Sequence, residues 1–67
     1  MKKLSKFACG YIVALSTIVH DDGIQPICIQ MYEDIGSPTI KQLEQADLTE
    51  YDIEAIQKII HDIAGGD

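Results

Sequence analysis

The chain has 67 residues, 46% of them hydrophobic, with two cysteines and a formal net charge of −6. This length allows one domain (residues 1–67), which buries only about 60% of the surface that the unfolded chain exposes. Two cysteines form at most one disulfide, which excludes a disulfide-rich mini-protein. Because the apolar content is high for so small a core, we expect a homodimer that covers the surplus apolar surface.

The charge is distributed unevenly along the chain. Residues 1–20 carry three lysines and no acidic residue, whereas residues 21–67 carry two lysines and all eleven acidic residues. An acidic body repels phosphate backbones, so binding to nucleic acid is disfavoured. It attracts basic protein surfaces, so we expect a larger protein with a basic surface as the partner. The same charge also keeps a hydrophobic protein soluble without any partner.

The first predicted element is a helix over residues 3–20. Its large apolar residues recur at helical spacing and form a stripe that we expect to be buried. The opposite side is small and mostly apolar, so it allows a second helix to approach closely and is the expected self-association surface. The predicted buried stripe comprises Leu4, Phe7, Ala8, Tyr11, Ile12, Leu15, Ile18 and Val19. The predicted self-association surface comprises Cys9, Gly10, Val13, Ala14 and Thr17.

The beginning of the chain also resembles a secretory signal. Three lysines precede an apolar run, but that run is shorter than the roughly 20 residues that cross a bilayer, so no membrane span is predicted. Whether residues 1–16 act as a signal peptide stays open at this point. The expected location is the cytoplasm.

The second predicted helix covers residues 25–35, with Pro26 in its first turn. The alternative for this half of the chain is a β-hairpin over residues 11–32, because Asp22-Gly23 between β-branched runs is a strong hairpin signal. That alternative gives an α+β fold with an N-terminal hairpin and two C-terminal helices. Pro26 and Gly10 weaken the two strands, so the helical interpretation is favoured.

The third predicted helix covers residues 38–46. Ser37 is expected to cap its N-terminus, and Pro38 suits the first helical position because no backbone N–H is needed there. Together with a fourth helix it completes the predicted all-α fold, a small bundle of about four helices.

The fourth predicted helix covers residues 49–63 and has the clearest pattern. Thr49 is the expected N-cap, with Asp52 three residues later as in a capping box. Glu54 and Lys58 stand four residues apart in the favourable order for an ion pair. Isoleucines at helical spacing form the predicted inner face. They are Ile53, Ile56, Ile59, Ile60 and Ile63.

The sequence contains no pattern typical of catalysis or of a cofactor site. His20, Asp21 and Asp22 adjoin at a turn, but three consecutive residues rarely converge on one substrate atom. The cysteines and histidines lack the close spacing of a zinc site. We therefore expect no enzyme, cofactor or metal, and we expect Cys9 and Cys28 to act as small hydrophobic residues. A disulfide between these two cysteines is the alternative for an exported chain.

These observations predict a small acidic protein-protein interaction module that binds and modulates a larger protein. The expected form of modulation is inhibition. Short acidic chains of this kind are typical of regulators encoded by phages or mobile elements. The expected partner-binding residues are Asp47, Glu50, Tyr51 and Glu54. The alternative is a helix-turn-helix DNA-binding transcriptional regulator built from the last two helices. Its recognition helix would present acidic side chains to the DNA, which disfavours this alternative.

Overall fold

The computed structural model describes residues 3–65, which form four helices. They are α1 (Lys6–Asp22), α2 (Pro26–Asp34), α3 (Ile40–Gln45) and α4 (Glu50–Ile63). No strand occurs between residues 3 and 65, so the all-α prediction is confirmed and the hairpin over residues 11–32 is wrong. None of these helices combines the length and the apolar character that crossing a membrane requires.

Both ends of α1 differ from the prediction, which placed the helix at residues 3–20. Ser5 is the N-cap, because its Oγ accepts a hydrogen bond from the N–H of Ala8 at 3.0 Å. The helix ends after Asp22, where Gly23 adopts a φ of +79° that favours glycine. Gly23 donates its N–H to the carbonyl of Val19 at 2.9 Å. The Asp-Gly pair therefore ends a helix instead of forming a hairpin turn.

The predicted N-cap of the third helix is wrong. Ser37 has a φ of +50° and donates its N–H to the Tyr32 carbonyl at 3.1 Å, so it closes α2. The N-cap of α3 is Thr39, whose Oγ1 accepts the N–H of Gln42 at 3.2 Å. In return, Gln42 Oε1 accepts the N–H of Thr39 at 3.0 Å. This reciprocal capping box starts α3 at Ile40, two residues beyond the predicted start.

Helix α4 lies at the centre of the bundle. It packs against each of the other three helices, and α1 also packs against α2. Pro38 precedes α3 instead of opening it, is buried, and accepts a 2.7 Å hydrogen bond from the Tyr32 hydroxyl at its carbonyl. The core contains residues from all four helices. They are Ile12, Leu15, Val19, Cys28, Tyr32, Leu43, Ala55, Ile56 and Ile59.

Two expectations about buried faces are wrong. Phe7 was expected to be buried but is 74% exposed, and Ile63 at the end of α4 is 48% exposed. The polar residues Ser16 and Asp52 are buried instead. The rest of the predicted stripe faces inward, with Ala8, Ile12, Leu15 and Val19 buried, so α1 is rotated about its axis relative to the prediction but is not turned over. The buried contact between these two polar residues, described below, accompanies the observed rotation.

Candidate functional site

The outer face of α4 and the adjoining end of α3 enclose an acidic groove. Its volume is about 420 Å³, and it is lined by Glu44, Glu50, Ile53, Glu54 and Gln57. The three glutamates are exposed, and Ile53 is half-buried. Glu50 lies in the first turn of α4, where the helix dipole favours a negative charge. Three carboxylates beside one apolar side chain suit a basic side chain with an aliphatic stem.

A second, more open depression of about 510 Å³ runs along the same helix. It is lined by Ile24, Glu54, Gln57, Lys58, His61 and Asp62. The predicted pair of Glu54 and Lys58 is confirmed, with Oε1 and Nζ 3.7 Å apart. Both side chains are more than half exposed, so the pair contributes little to stability. Glu54 lines both depressions and is shared by the two surfaces.

Tyr51 lies beside the acidic groove but does not line it. Its ring packs against the imidazole of His20, with ring centroids 3.9 Å apart and ring planes tilted by 38°, and its carbonyl oxygen is 2.9 Å from His20 Nε2. The side chain remains 45% exposed. Contact with α1 therefore holds an exposed aromatic ring next to Glu50, which lowers the entropy that a partner contact would cost.

Asp47 stands apart from the other predicted partner-binding residues. It lies in the turn between α3 and α4 and lines a cleft shared with the start of α1. We call this the basic cleft, because Lys3 and Lys6 line it. The remaining lining residues are Leu4, Cys9, Gln45 and Ala46. The four predicted partner-binding residues therefore do not form one patch. Glu50 and Glu54 line the acidic groove, Tyr51 lies beside it against His20, and Asp47 lines the basic cleft.

A buried polar contact that the sequence pattern did not reveal positions the start of α4. Ser16 Oγ donates to Asp52 Oδ1 at 2.6 Å, and Thr49 Oγ1 donates to Asp52 Oδ2 at 3.0 Å. Thr49 is the N-cap of α4, as predicted. The Asp52 carboxylate thus turns inward toward Ser16 instead of joining the acidic surface. The only sequence signal for this contact was a serine among the apolar residues of α1.

Ser16, His20 and Asp52 are the residue types of a hydrolase triad, but they are not arranged as one. In a triad the histidine lies between the serine and the carboxylate. Here Ser16 bonds the carboxylate directly, and His20 Nε2 contacts the Tyr51 carbonyl. Ser16 is also 1% exposed, so a substrate could not reach its hydroxyl. The cluster therefore serves to join α1 to α4.

The cysteines and histidines are spread over the bundle. Cys28 is fully buried and Cys9 is half-buried, and neither forms a disulfide. Cys28 Sγ accepts the N–H of Gln25 at 3.4 Å, at the start of α2. Within residues 3–65, no group of three or more histidine, cysteine, aspartate or glutamate side chains is arranged to hold a metal ion.

The predicted self-association surface lies on the outer side of α1. Gly10, Val13, Ala14 and Thr17 are exposed, whereas Cys9 is half-buried at the basic cleft. A Cβ atom built on Gly10 would have no neighbouring atom within 4 Å. The side chains around Gly10 are therefore accessible from solvent and are not covered by the described part of this chain.

In comparisons with known proteins, no family model, no curated protein and no solved structure matches this chain.

Proposed function

We propose that this chain is a small interaction module whose acidic groove binds a basic segment of a larger protein and thereby inhibits it. The observation that supports the proposal is the groove itself, where Glu44, Glu50 and Glu54 adjoin the half-buried Ile53. A source in a phage or mobile element is part of the same proposal, on grounds of size and charge.

The chemistry of the groove favours arginine or lysine as the residue that enters it. The aliphatic stem of such a residue can lie along Ile53 while its charged head reaches the carboxylates. Arginine has the further advantage of a planar fork that binds a carboxylate through two hydrogen bonds. The net charge of −6 also accelerates encounter with a basic surface, most strongly at low ionic strength. An inhibitor of this kind acts by occupying a basic surface that its target needs.

We also propose that the module is a homodimer that associates through the outer side of α1. The buried side of α1 packs on α4 and α2. The outer side therefore points away from the acidic groove, and self-association leaves both grooves of a dimer open.

No observation favours the helix-turn-helix alternative. The exposed positions in the first two turns of α4 are Glu50, Tyr51, Glu54 and Gln57, and two of these four are acidic. Glutamates at these positions repel DNA phosphates, which dominate protein–DNA affinity. A DNA duplex at low salt therefore serves as a negative probe in the binding experiment.

The proposal is tested with a labelled peptide of alternating arginine and isoleucine residues. Its binding to the protein is measured by fluorescence anisotropy at low salt. We expect Glu50→Gln/Glu54→Gln to weaken binding at least tenfold, because each lost charged contact is worth about 1.5–3 kcal/mol. The matched control is Glu33→Gln/Asp34→Asn, which changes the net charge equally at two exposed positions of α2 that line neither depression. Equal weakening by both double variants would mean that only the overall charge attracts the peptide, and the proposal would be abandoned.

Capture from a host lysate is then used to identify the natural partner. The tagged wild type and Glu50→Gln/Glu54→Gln are compared side by side, and a partner of the acidic groove is recovered only by the wild type. The recovered protein must lose activity on addition of the wild type and keep it on addition of the variant. A partner captured equally by both proteins would contradict the proposed groove.

A further inference from the structure

The outer face of α1 has the spacing of a helix–helix seam. Phe7, Gly10, Ala14, Thr17 and Asp21 follow one another at alternating steps of three and four residues, which places them on one side of the helix. All five are exposed, and Phe7 is 74% exposed. No other helix within residues 3–65 covers this side, because the partners of α1 pack on its opposite side. A large exposed aromatic ring beside small residues is typical of a surface that is covered by another chain.

The charges on this face are confined to its two ends and have opposite signs. Lys6, which also lines the basic cleft, lies at the edge of this face at the start of α1, Asp21 lies on it at the end of the helix, and no acidic or basic residue stands between Lys6 and His20. The rest of the chain, residues 21–67, carries a surplus of nine negative charges. Two copies of so acidic a molecule repel each other over most surfaces. The uncharged middle of α1 is the face on which they can approach.

The end charges decide the orientation of two such helices. A parallel pair would place lysine against lysine and aspartate against aspartate. An antiparallel pair places Lys6 of each copy beside Asp21 of the other. It also opposes the two helix dipoles, which is favourable.

We infer that a second copy of this chain covers the outer face of α1, with the two α1 helices antiparallel about a two-fold axis near Ala14. Lys6 of each copy then lies beside Asp21 of the other. This inference rests on the self-association proposed above and adds to it the contact face, the orientation and the charge pairs. The arrangement is isologous, so each contact occurs twice.

The small residues at the centre allow a close approach of the two helices. The distance between their axes can then be about 8 Å, the short end of the usual range of 8–10 Å. Gly10 has open space where a Cβ would lie. Phe7 is too far from the axis to crowd it and packs against the second half of the partner helix. Helix α1 has 17 residues and is about 25 Å long. One such helix pair buries less than the roughly 800 Å² per partner of a standard interface, so the dimer is expected to be weak, in the micromolar range.

The dimer dissociation constant is measured by sedimentation equilibrium of the purified full chain, from about 1 µM to 1 mM. The inference is tested by exchanging the charges at the two ends of α1. We expect Lys6→Glu and Asp21→Lys each to raise the dimer dissociation constant at least tenfold, because each change places two like charges side by side at both ends of the helix pair. The double variant Lys6→Glu/Asp21→Lys restores opposite charges and the net charge of the wild type. Its dissociation constant is expected to return to within about threefold of the wild-type value.

Two exposed positions away from α1 supply matched controls. Lys41→Glu on α3 and Glu33→Lys on α2 reproduce the two charge changes, and each is expected to leave the dissociation constant within about threefold of wild type. Asp21→Lys is the most informative single variant, because it lowers the net negative charge. General repulsion would then predict a tighter dimer, whereas the antiparallel pair predicts a weaker one. A tighter Asp21→Lys dimer overturns the inference.

Ala14→Glu places two carboxylates at the two-fold axis and is expected to leave a monomer with unchanged helical circular dichroism. A dimer that survives this change overturns the contact face, and failure of the charge swap to restore association overturns the orientation. A wild type that stays monomeric at 1 mM overturns self-association as a whole. Peptide binding by the acidic groove is measured separately on the monomer, so the two proposals fail independently.

Discussion

Ser16 in the middle of α1 donates a 2.6 Å hydrogen bond to the carboxylate of Asp52 in the first turn of α4. Both residues are buried. A carboxylate is costly to bury unless hydrogen bonds replace its lost water, and the hydroxyls of Ser16 and Thr49 supply them. One turn along α1, His20 contacts Tyr51. These two contacts fix the start of α4 against α1, and so they determine where the glutamates of the acidic groove stand.

Ser16→Ala is expected to lower the free energy of unfolding by about 1–3 kcal/mol, because it removes one hydrogen bond from a buried carboxylate. The measurement is urea denaturation followed by circular dichroism. Thr17→Ala is the matched control, since Thr17 is the exposed neighbour and its hydroxyl donates to the Val13 carbonyl of its own helix. Equal stability of the two variants would contradict a structural role for the contact between Ser16 and Asp52.

Burial raises the pKa of Tyr32 above its ordinary value of about 10, and its hydroxyl donates to the buried Pro38 carbonyl at 2.7 Å. The folded state therefore keeps the phenol proton to a higher pH than the unfolded state does. The stabilisation from this group is complete below about pH 10 and is lost as the pH rises through the folded-state pKa.

Tyr32→Phe provides the test, because it removes both the hydrogen bond and the titrating group. At neutral pH we expect the variant to be about 1–3 kcal/mol less stable, since the Pro38 carbonyl is left unpaired. This difference from wild type should shrink in urea titrations as the pH is raised from about 9 to about 11. A difference from wild type that stays constant over this pH range would be evidence against the burial of Tyr32.

Gly10→Ala is expected to stabilise the fold by about 0.5–1 kcal/mol, because Gly10 lies within α1 and a Cβ there meets nothing within 4 Å. Gly23→Ala should do the opposite and destabilise by about 1 kcal/mol or more, since Gly23 has a φ of +79°. Thermal denaturation at low protein concentration separates these effects from self-association. The same sign of change at both positions would contradict the assigned end of α1.

Leu43→Ala is expected to lower stability by about 2–5 kcal/mol, which is most of the stability available to a domain of this size. Leu43 is the one fully buried hydrophobic side chain that α3 contributes to the core. Ile63→Ala removes an apolar side chain that is 48% exposed and should cost less than about 1 kcal/mol. The comparison is made by urea denaturation. A small effect of Leu43→Ala would mean that α3 does not dock on α4 as described.

Local sequence signals predicted the elements of this protein well. The apolar residues of α1 and α4 recur at helical spacing, Pro26 opens α2, and Thr49 caps α4. These signals act between residues a few positions apart, so they can be recognised without the rest of the fold. The third helix was misplaced at its start because Ser37-Pro38 and Thr39 both resemble capping signals. Gly36 and Ser37 both have a positive φ and form the turn that ends α2, so Thr39 is left as the N-cap of α3.

The surfaces could be predicted only in part. The acidic character of α4 follows from the sequence, but the grouping of Glu44 with Glu50 and Glu54 depends on how α3 docks, and so does the separation of Asp47 from them. Chain neighbours such as Asp47 and Glu50 can lie on different surfaces when a turn separates them.

The sequence by itself determined that this chain is acidic and helical and approximately where its four helices lie, because composition and short-range spacing carry that information. The tertiary structure decided the exact rotation of α1 about its own axis. An apolar residue is acceptable on either side of that helix, so Phe7 could face solvent while Ser16 was buried. Only the packing of α4, with Asp52 opposite Ser16, selects one rotation. That rotation leaves the uncharged outer face of α1 exposed.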